Sequence, residues 1–333
     1  MSGKGSISCA SDLNAGLFGR YSRIANDLIE SADCFLVVGC KLGEIATKRY
    51  DLLPSDVPLI HLDVLEEELG RTTRAAVSLW GDAQAGLDDL ASELADSVAQ
   101  QKQDRAEYAA EVPVRMKKWT DEAADRLHST EKPINMGRVM QELNNHMPAD
   151  SVLVADGGFA GHWTGLLYNT KKAGRTYVPD RGLASIGYGL PGAVGAQLGQ
   201  PDVPVVALTG DGGFNMVIGE LETAIRVKTP VTIMVVNNAA SGYVKALQHA
   251  VRNGDCPSFA CCRASHPTFH RPPAGSAARA APMSRFSRRY EALGMSPTIA
   301  KAVQKELQKH REAEEEDRRL EARASELANS GAR

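Results

Sequence analysis

Short apolar runs alternate with stretches of helical spacing over residues 20–96 of the chain. Such alternation is typical of parallel strands joined by helices that pack on both faces of a sheet. The predicted strands of this part are 34–39, 58–64 and 76–82, and the predicted helices are 21–31 and 85–101. The pattern therefore predicts an α/β unit at the start of the chain.

A second α/β unit begins near Met136, after a polar stretch at 102–133 whose spacing predicts a linker helix over 107–128. Its predicted strands are 151–155, 176–179, 203–208 and 231–236, and its predicted helices are 137–146, 190–198 and 220–227. Residues 252–289 are rich in Arg, Pro, Ser, Ala and Cys, which predicts disorder. Residues 297–328 carry opposite charges at helical spacing, as a solvated helix does.

The fold class predicted from these patterns is α/β, with two doubly wound parallel-sheet (Rossmann-like) units and a disordered, then helical, C-terminal tail. We divide the chain into four segments. They are 1–100, a helical linker at 101–133, 134–251 and a divergent tail at 252–333.

Apolar residues make up 43% of the 333 residues, charged residues make up 24%, and the formal net charge is -3. These values are ordinary for a soluble globular protein and argue against nucleic-acid or membrane partners. No apolar stretch is long enough to cross a bilayer, and the N-terminus lacks the apolar core of a secretory signal. We expect a cytoplasmic protein with reduced cysteines, or an organellar one if a transit peptide has been lost.

Cysteines and histidines cluster in the tail and raise the alternative of a zinc site. They are Cys256, Cys261, Cys262, His266 and His270. The gap from Cys262 to His266 is far shorter than the roughly 12 residues that separate the ligand pairs of a finger. We interpret the cluster as unpaired residues of the tail.

Polar clusters follow two of the predicted strands of the second unit. Gly210-Asp211-Gly212-Gly213 ends one strand, Asn237-Asn238 ends the next, and 24 residues separate Gly212 from Asn237. Ligands of open α/β sheets bind at such strand ends. Carboxylate and carboxamide oxygens suit a hard cation, and glycines let a diphosphate approach the backbone. The motif therefore predicts a Mg²⁺-diphosphate site.

Two further blocks accompany this motif in a fixed order, Arg181–Pro191 and Gly219–Ala224. With them, the second unit resembles the diphosphate-binding domain of thiamine diphosphate-dependent enzymes, closest to acetolactate synthase large subunits. Residues 1–96 resemble the later part of the same family's middle domain, through Gly3-Lys4-Gly5 and Gly81-Asp82-Ala83. The resemblance implies that both α/β units are incomplete, because the family's domains are longer.

The resemblance also implies a set of cofactor-binding residues. They are Gly157, Gly158, Ala184, Ser185, Ile186, Gly210, Asp211, Gly212, Gly213, Asn238, Ala240, Ser241, Gly242 and Tyr243. Within that set, Asp211, Asn238 and the carbonyl of Ala240 would ligate Mg²⁺. Ile186 would hold thiamine diphosphate bent, and the carbonyl of Ala184 would accept from its aminopyrimidine.

Each of these roles has a plainer alternative. Asp211 and Asn238 could be ordinary loop residues, and Ile186 could be a core residue. Asp156, which precedes Gly157, is expected to lie against the diphosphate of the cofactor. His162 is more typical of a surface or core-edge histidine than of a ligand.

The activity that the resemblance implies is decarboxylation of a 2-oxo acid such as pyruvate, followed by carboligation. This is transferase or lyase chemistry of branched-chain amino acid biosynthesis, carried out by a homodimer. FAD occupies the middle domain of some relatives. The turn at 39–43 either touches such a nucleotide or is a plain strand-helix turn, and we favour the plain turn.

The sequence departs from the family in ways that lower the expected activity. The N-terminal domain that supplies the cofactor-activating glutamate has no counterpart here, so we assign no catalytic residue and expect a truncated, inactive chain. Phe159 and Ala160 stand where acetolactate synthases carry glutamine and histidine. Two alternatives stay open: another thiamine diphosphate-dependent decarboxylase or acyloin lyase, and a non-catalytic fragment that associates with full-length subunits.

Overall fold

A computed structural model describes residues 1–19, 22, 24–238 and 240–251 of the chain. Its first sheet is parallel and has three strands in the order β1-β2-β3. These strands are β1 (Phe35–Val38), β2 (Leu59–Asp63) and β3 (Val77–Trp80). The order of the described strands across the sheet is therefore their order along the chain. The three strands lie within the three predicted runs.

The first sheet is covered mainly on one side. Phe35, Leu42 and Leu59 are buried together, whereas Leu36 and Trp80 are 49% and 68% exposed. Helices α1 (Ile24–Glu30) and α2 (Ala83–Glu93) flank it. The carboxylate of Asp82 caps α2 by accepting from the backbone N–H groups of Gln84 and Ala85.

The stretch between the units is helical, as predicted. It contains α3 (Val98–Asp104), α4 (Ala106–Glu122) and α5 (Ala124–Leu127). Ion pairs one turn apart, such as Arg115 with Glu111 and Lys117 with Asp121, mark the exposed face of α4. The last part of this helical stretch is more than a linker, because Leu127 of α5 is buried in the core of the second unit and Trp119 of α4 packs against that core.

The second sheet has four parallel strands in the order β5-β4-β6-β7. The strands are β4 (Val152–Ala155), β5 (Tyr177–Pro179), β6 (Val205–Gly210) and β7 (Thr232–Val236). The accompanying helices are α6 (Met136–His146), α7 (Phe159–Leu167), α8 (Gly189–Gly199), α9 (Asp211–Met216), α10 (Glu220–Arg226) and α11 (Gly242–Val251). β4 and most of β6 are fully buried, so they form the centre of the unit.

The strand order of the second sheet reverses around β4. The chain passes from β4 to β5 on one side, and then continues with β6 and β7 on the other. Such a reversal leaves a space between the strand ends that flank it, here those of β4 and β6. The predicted α/β class with parallel sheets is thus confirmed, and the reversal locates the place where a ligand is expected.

Three helices of the second unit were not predicted, α7, α9 and α11. Each contains glycine in its first turn, and glycine is a poor helix former, so the start of each lacks a helical pattern. Packing decides instead: a methyl group at Gly161 would lie 2.7 Å from the guanidinium of Arg181, and one at Gly165 would lie 3.0 Å from Met1 Sδ. Close approach to neighbours therefore requires these glycines.

The N-terminal residues lie on the second unit. A 3₁₀ turn at Ser2–Ser6 is fixed there by bonds from Gly174 N to the Gly5 carbonyl and from Cys9 N to the Thr170 carbonyl, both 2.8 Å. Lys4 Nζ donates to the Gly165 carbonyl, and burial lowers the pKa of Lys4 to about 8. The Gly3-Lys4-Gly5 segment thus connects the two units.

No helix within the described residues has the length and apolar character that a membrane crossing requires. The predicted disorder at 252–289, the charged helix at 297–328 and the Cys/His cluster between Cys256 and His270 lie outside the described residues.

Candidate functional site

Asp156 is the centre of the polar network at the reversal point. It follows β4, is 1% exposed, and its Oδ1 accepts from the backbone N–H groups of Gly157 (2.7 Å), Gly187 (2.9 Å) and Tyr188 (3.1 Å). The hydroxyl of Thr209, on β6, donates to its Oδ2. We expected Asp156 to lie against phosphates, but in the structure its carboxylate oxygens are used by the protein itself.

The loop held by Asp156 carries the predicted pyrimidine-side residues. Gly182, Ala184 and Gly187 all have positive φ, at 111°, 54° and 102°. Alanine rarely adopts this region, so Ala184 is locally strained. Ile186 is 52% exposed, which makes the core alternative for this residue wrong. Ser185 is exposed beside it.

Gly157 lies next to this loop, and its lack of a side chain lets three neighbouring residues approach its backbone closely. A methyl group on Gly157 would lie 3.2 Å from the Ala184 carbonyl oxygen, 3.4 Å from Asp180 Oδ2 and 3.4 Å from Ile186 Cγ1. Gly158 adopts φ 66° and precedes α7, and a methyl group there would lie 4.0 Å from Tyr243 Cβ. The structure thus brings Gly157 next to Ala184 and Ile186, and Gly158 next to Tyr243.

The Gly-Asp-Gly-Gly motif makes the turn from β6 into α9. Asp211 is the first residue of α9 and is 6% exposed. Gly213 packs against the Asp156 network, because a methyl group there would lie 2.5 Å from Asp156 Oδ2. A methyl group on Gly212 would meet nothing within 4 Å. The N–H groups in the first turn of α9 have no partner within their own helix, which suits an anion.

The asparagine pair lies beside this turn because β6 and β7 are paired neighbours. Gly210 is in register with Val236, so the residues after each strand emerge at the same sheet edge. Asn238 Oδ1 accepts from Ala240 N at 3.1 Å and bends the chain towards α11. A methyl group on Gly242 would lie 2.9 Å from Asn238 Nδ2, so this turn is tight.

The three predicted metal ligands do not by themselves fill the coordination of a metal ion. No group of three or more His, Cys, Asp or Glu side chains that could hold a metal ion occurs within the described residues. Asp211 is the single carboxylate of the proposed set, with the Asn238 amide and the Ala240 carbonyl as neutral ligands. Such a donor set fits Mg²⁺, which commonly takes one or two carboxylates and completes its coordination with phosphate oxygens and water.

An aromatic cluster borders the motif and was not predicted. Phe159 and Tyr243 meet edge to face with ring centroids 5.6 Å apart, and His162 stacks on Tyr243 at 5.3 Å. Burial, together with the nearby Arg181 cation, lowers the pKa of His162 to about 4. His162 is therefore neutral near pH 7, and the cluster carries no charge there. Only the spacing of Phe159 and His162 on one helical face could have indicated it.

The corresponding edge of the first sheet is occupied by the protein's own contacts. Gly70 N donates to Nδ1 of the buried His61, so Nε2 of that ring carries the proton and donates to the Cys40 carbonyl at 3.1 Å. Lys41 and Arg71 both pair with Oε1 of the buried Glu68. After Gly39 the chain forms turns rather than the helix of a strand-helix unit. The plain turn favoured above stays a prediction, with nucleotide binding as its alternative.

Comparison with known families matches both units. Residues 1–90 match the central domain of thiamine pyrophosphate enzymes, and residues 156–312 match their C-terminal TPP binding domain. The chain belongs to the thiamine pyrophosphate enzyme family. The second match contains the whole Gly-Asp-Gly-Gly and Asn-Asn site. It also extends beyond residue 251, so the segment boundaries given above stay predictions.

Individual relatives of this thiamine pyrophosphate enzyme chain are acetolactate synthases. Acetolactate synthase, chloroplastic, of Arabidopsis thaliana is 29% identical over 246 residues, which cover 73% of this chain and 36% of that protein. Acetolactate synthase isozyme 2 large subunit of Escherichia coli is 27% identical over 250 residues, covering 74% and 43%. The chain spans less than half the length of these curated relatives.

Proposed function

We propose that this chain binds Mg²⁺ and thiamine diphosphate at the edge of the second sheet, between the ends of β4 and β6. The observation that carries the proposal is the register of β6 with β7: Gly210 pairs with Val236, so Asp211 and Asn238 follow strands that end at the same edge of the sheet. The family match supports the identity of the cofactor, because it covers this edge with a TPP binding domain.

The chain's own residues would divide the work of binding. Asp211, Asn238 and the Ala240 carbonyl would hold Mg²⁺, and the N–H groups of Gly212 and Gly213 would face the diphosphate. Asn238 keeps a second lone pair on Oδ1 for the metal while it accepts from Ala240 N. Together these groups would fix one end of the cofactor at the sheet edge.

The remaining predicted residues would orient the other end of the cofactor. Gly157, Gly158 and Gly210 leave room for it, and the turn of Ser241, Gly242 and Tyr243 would close beside the diphosphate. Ile186 presents an exposed apolar side chain, and the Ala184 carbonyl faces the same volume above Gly157. Bound thiamine diphosphate supplies the carbanion for attack on a carbonyl carbon.

The proposed reaction is that of acetolactate synthases: decarboxylation of a 2-oxo acid such as pyruvate, followed by carboligation, in a homodimer. The similarity to acetolactate synthases supports this choice. FAD stays outside the proposal, because groups of the turn at 39–43 are engaged by other residues of the first unit: Gly39 N donates to the Leu62 carbonyl, and the Cys40 carbonyl accepts from His61.

Two alternatives each have an observation in their favour. The neutral cluster of Phe159, His162 and Tyr243 favours a 2-oxo acid decarboxylase or acyloin lyase that acts on a larger, less polar substrate. Exposed apolar side chains near the site, Leu183 at 97% and Ile225 at 78%, favour association with full-length subunits.

Calorimetry with thiamine diphosphate and Mg²⁺ tests the binding site. We expect the wild-type chain to bind and Asp211→Ala to bind at least about tenfold more weakly, a difference of about 1.4 kcal/mol. Asp202→Ala is the matched control, because Asp202 is exposed in the turn before β6. No binding by the wild type, or equal binding by both proteins, would refute the site.

Turnover is tested by incubation with pyruvate, thiamine diphosphate and Mg²⁺, followed by an acetolactate assay. We expect little or no product from this chain by itself, because none of its glutamates matches the one that activates the cofactor in this family. Rapid acetolactate formation by the purified chain would contradict this expectation. It would also show that another acid in the chain takes that role.

A further inference from the structure

The C-terminal end of α7 is held by a lysine from a distant part of the chain. Lys4 Nζ donates to the carbonyl of Gly165, a buried residue in the last turn of this helix. The last four carbonyls of an α-helix have no partner within the regular helix. Two others in α7, those of Thr164 and Leu167, accept from a backbone N–H and from a side chain. Lys4 therefore satisfies a carbonyl that α7 itself leaves open.

Lys4 also supplies a positive charge that α7 lacks at this end. The last turn of α7 contains no basic residue, and a cation there stabilises the negative end of the helix dipole. Burial lowers the pKa of Lys4 to about 8, so its ammonium is mainly charged at pH 7. The ammonium lies 5.8 Å from the centroid of the Tyr177 ring, a cation–π distance. The Tyr177 hydroxyl in turn lies 3.0 Å from Thr164 Oγ1 on the buried face of α7.

The position of α7 depends on such contacts, because its own residues specify a helix weakly. It has nine residues, which include Gly161 and Gly165, and no side chain caps its first turn. Helices this short take their stability from packing. A methyl group on Gly165 would lie 3.2 Å from Leu17 Cδ1, so the N-terminal segment packs closely on α7 at the residue that Lys4 contacts.

The opposite end of α7 packs on the turn that carries a proposed metal ligand. Phe159, its first residue, meets Tyr243 edge to face, and His162 stacks on the same ring. A methyl group on Gly242 would lie 3.3 Å from Phe159 Cδ2 and 2.9 Å from Asn238 Nδ2. Gly242 is thus in tight contact with both Phe159 and Asn238. A displacement of α7 would therefore disturb the turn at Asn238.

We propose that Lys4 is a positioning residue for the candidate site, which holds α7 in place and so keeps its aromatic residues against Tyr243. Lys4 acts about 9 Å along the helix axis from Phe159, a distance of six residues. The Gly3-Lys4-Gly5 motif of the first unit thereby gains a role in the second unit. The expected effect on cofactor affinity rests on the proposed function, whereas the effect on the aromatic contacts does not.

The test separates a displacement of α7 from a general loss of stability. Lys4→Met removes the ammonium and keeps an unbranched apolar side chain, and Lys4→Gln keeps a neutral donor. Lys171→Met is the matched control, because Lys171 Nζ donates in the same way to the carbonyl of Met147, the residue after α6.

Three properties are measured for each protein. The stacking of His162 on Tyr243 is followed in the cofactor-free proteins by NMR at pH 7, through the ring-current shifts of the His162 ring protons. His162→Gln assigns these signals. Calorimetry with thiamine diphosphate and Mg²⁺ gives the affinity, and thermal unfolding gives the stability.

We expect Lys4→Met to move the His162 signals towards those of an exposed histidine and Lys4→Gln to move them less. The affinity of Lys4→Met for thiamine diphosphate should fall at least about threefold. Lys4→Met and Lys171→Met should both unfold at a lower temperature than wild type, because each loses a bond to the end of a helix. Lys171→Met should change neither the His162 signals nor the affinity.

Unchanged His162 signals in both Lys4 variants would overturn the proposal, even if their unfolding midpoints fall. Equal changes in Lys4→Met and Lys171→Met would also overturn it, because the effect would then be general. Lost stacking with unchanged affinity would refute the link from α7 to Asn238. Lost stacking in a protein whose wild type binds no thiamine diphosphate would support the role of Lys4 and refute the proposed function.

Discussion

The two sheets of this chain are built alike but end differently at their carboxyl edges. Both are parallel, and both have polar residues directly after buried strands. In the first sheet, His61 bonds the Cys40 carbonyl and the Gly70 N–H, and Glu68 pairs with two cations through Oε1, while its buried Oε2 has no hydrogen-bond partner among the described residues. In the second sheet, no side chain caps the first turn of α9, and Asp180 Oδ2 also lacks a partner among the described residues.

Strand order accounts for much of this difference. The first sheet advances without reversal through its described strands, so consecutive loops lie side by side, and His61 links the loop that contains Cys40 to the one that contains Gly70. The second sheet reverses around β4, so the chain leaves β4 and β6 towards opposite sides of the sheet. The Thr209 hydroxyl donates to Asp156 Oδ2 between these two strand ends. A binding edge thus depends on topology as well as on polar residues.

The largest expected effect comes from a change in the hydrogen-bond network of Asp156 and Thr209 in the second unit. In Gly213→Ala, the new methyl group would lie 2.5 Å from Asp156 Oδ2 and 3.1 Å from Thr209 Oγ1. We expect a loss of about 1–3 kcal/mol in the free energy of unfolding, measured by urea denaturation, and loss of cofactor binding. Gly212→Ala in the same helix is the control, since its methyl group meets nothing within 4 Å. Equal stability of the two variants would show that the network tolerates displacement.

An effect of similar or smaller size is expected in the first sheet, without a change in binding. His61→Leu leaves the Cys40 carbonyl and the Gly70 N–H unpaired, which should destabilise the protein by about 1–3 kcal/mol. Affinity for thiamine diphosphate should stay unchanged in calorimetry, because the proposed site lies at the edge of the second sheet. Ser78→Ala, at the exposed position in register with His61, is the control. A matching loss of affinity would mean that the two edges act together.

The smallest effect concerns the pH dependence of stability. The pKa of His162 falls from an ordinary 6.5 to about 4 in the folded chain. The unfolded chain therefore binds more protons between these values, and stability declines as the pH falls from 6.5 towards 4. His162→Gln should make this decline shallower in thermal unfolding measured across that range. The exposed His128→Gln is the comparison, and a slope identical to wild type in His162→Gln would exclude this contribution.

Several features of the fold and the site followed from the pattern of residues. Apolar runs gave strands in both units, because buried strands of parallel sheets need continuous apolar residues. The spacing of Asp211 and Asn238 predicted that they lie together, and the pairing of β6 with β7 puts them at one sheet edge. Helices α7, α9 and α11 could not be predicted, because their glycines are set by contacts with Arg181, Asp156 and Asn238.

The sequence by itself determined the α/β class, the two units and the Gly-Asp-Gly-Gly and Asn-Asn motif, because periodicity and turn residues act over short stretches of chain. Only the tertiary structure decided the distant partners of Asp156, which are Gly187, Tyr188 and Thr209, 31 to 53 residues away along the chain. It also decided the exposure of Ile186 and the lack of a donor for Asp180. Hydrogen-bond satisfaction depends on which loops the strand order brings together, and no local pattern of residues encodes that order.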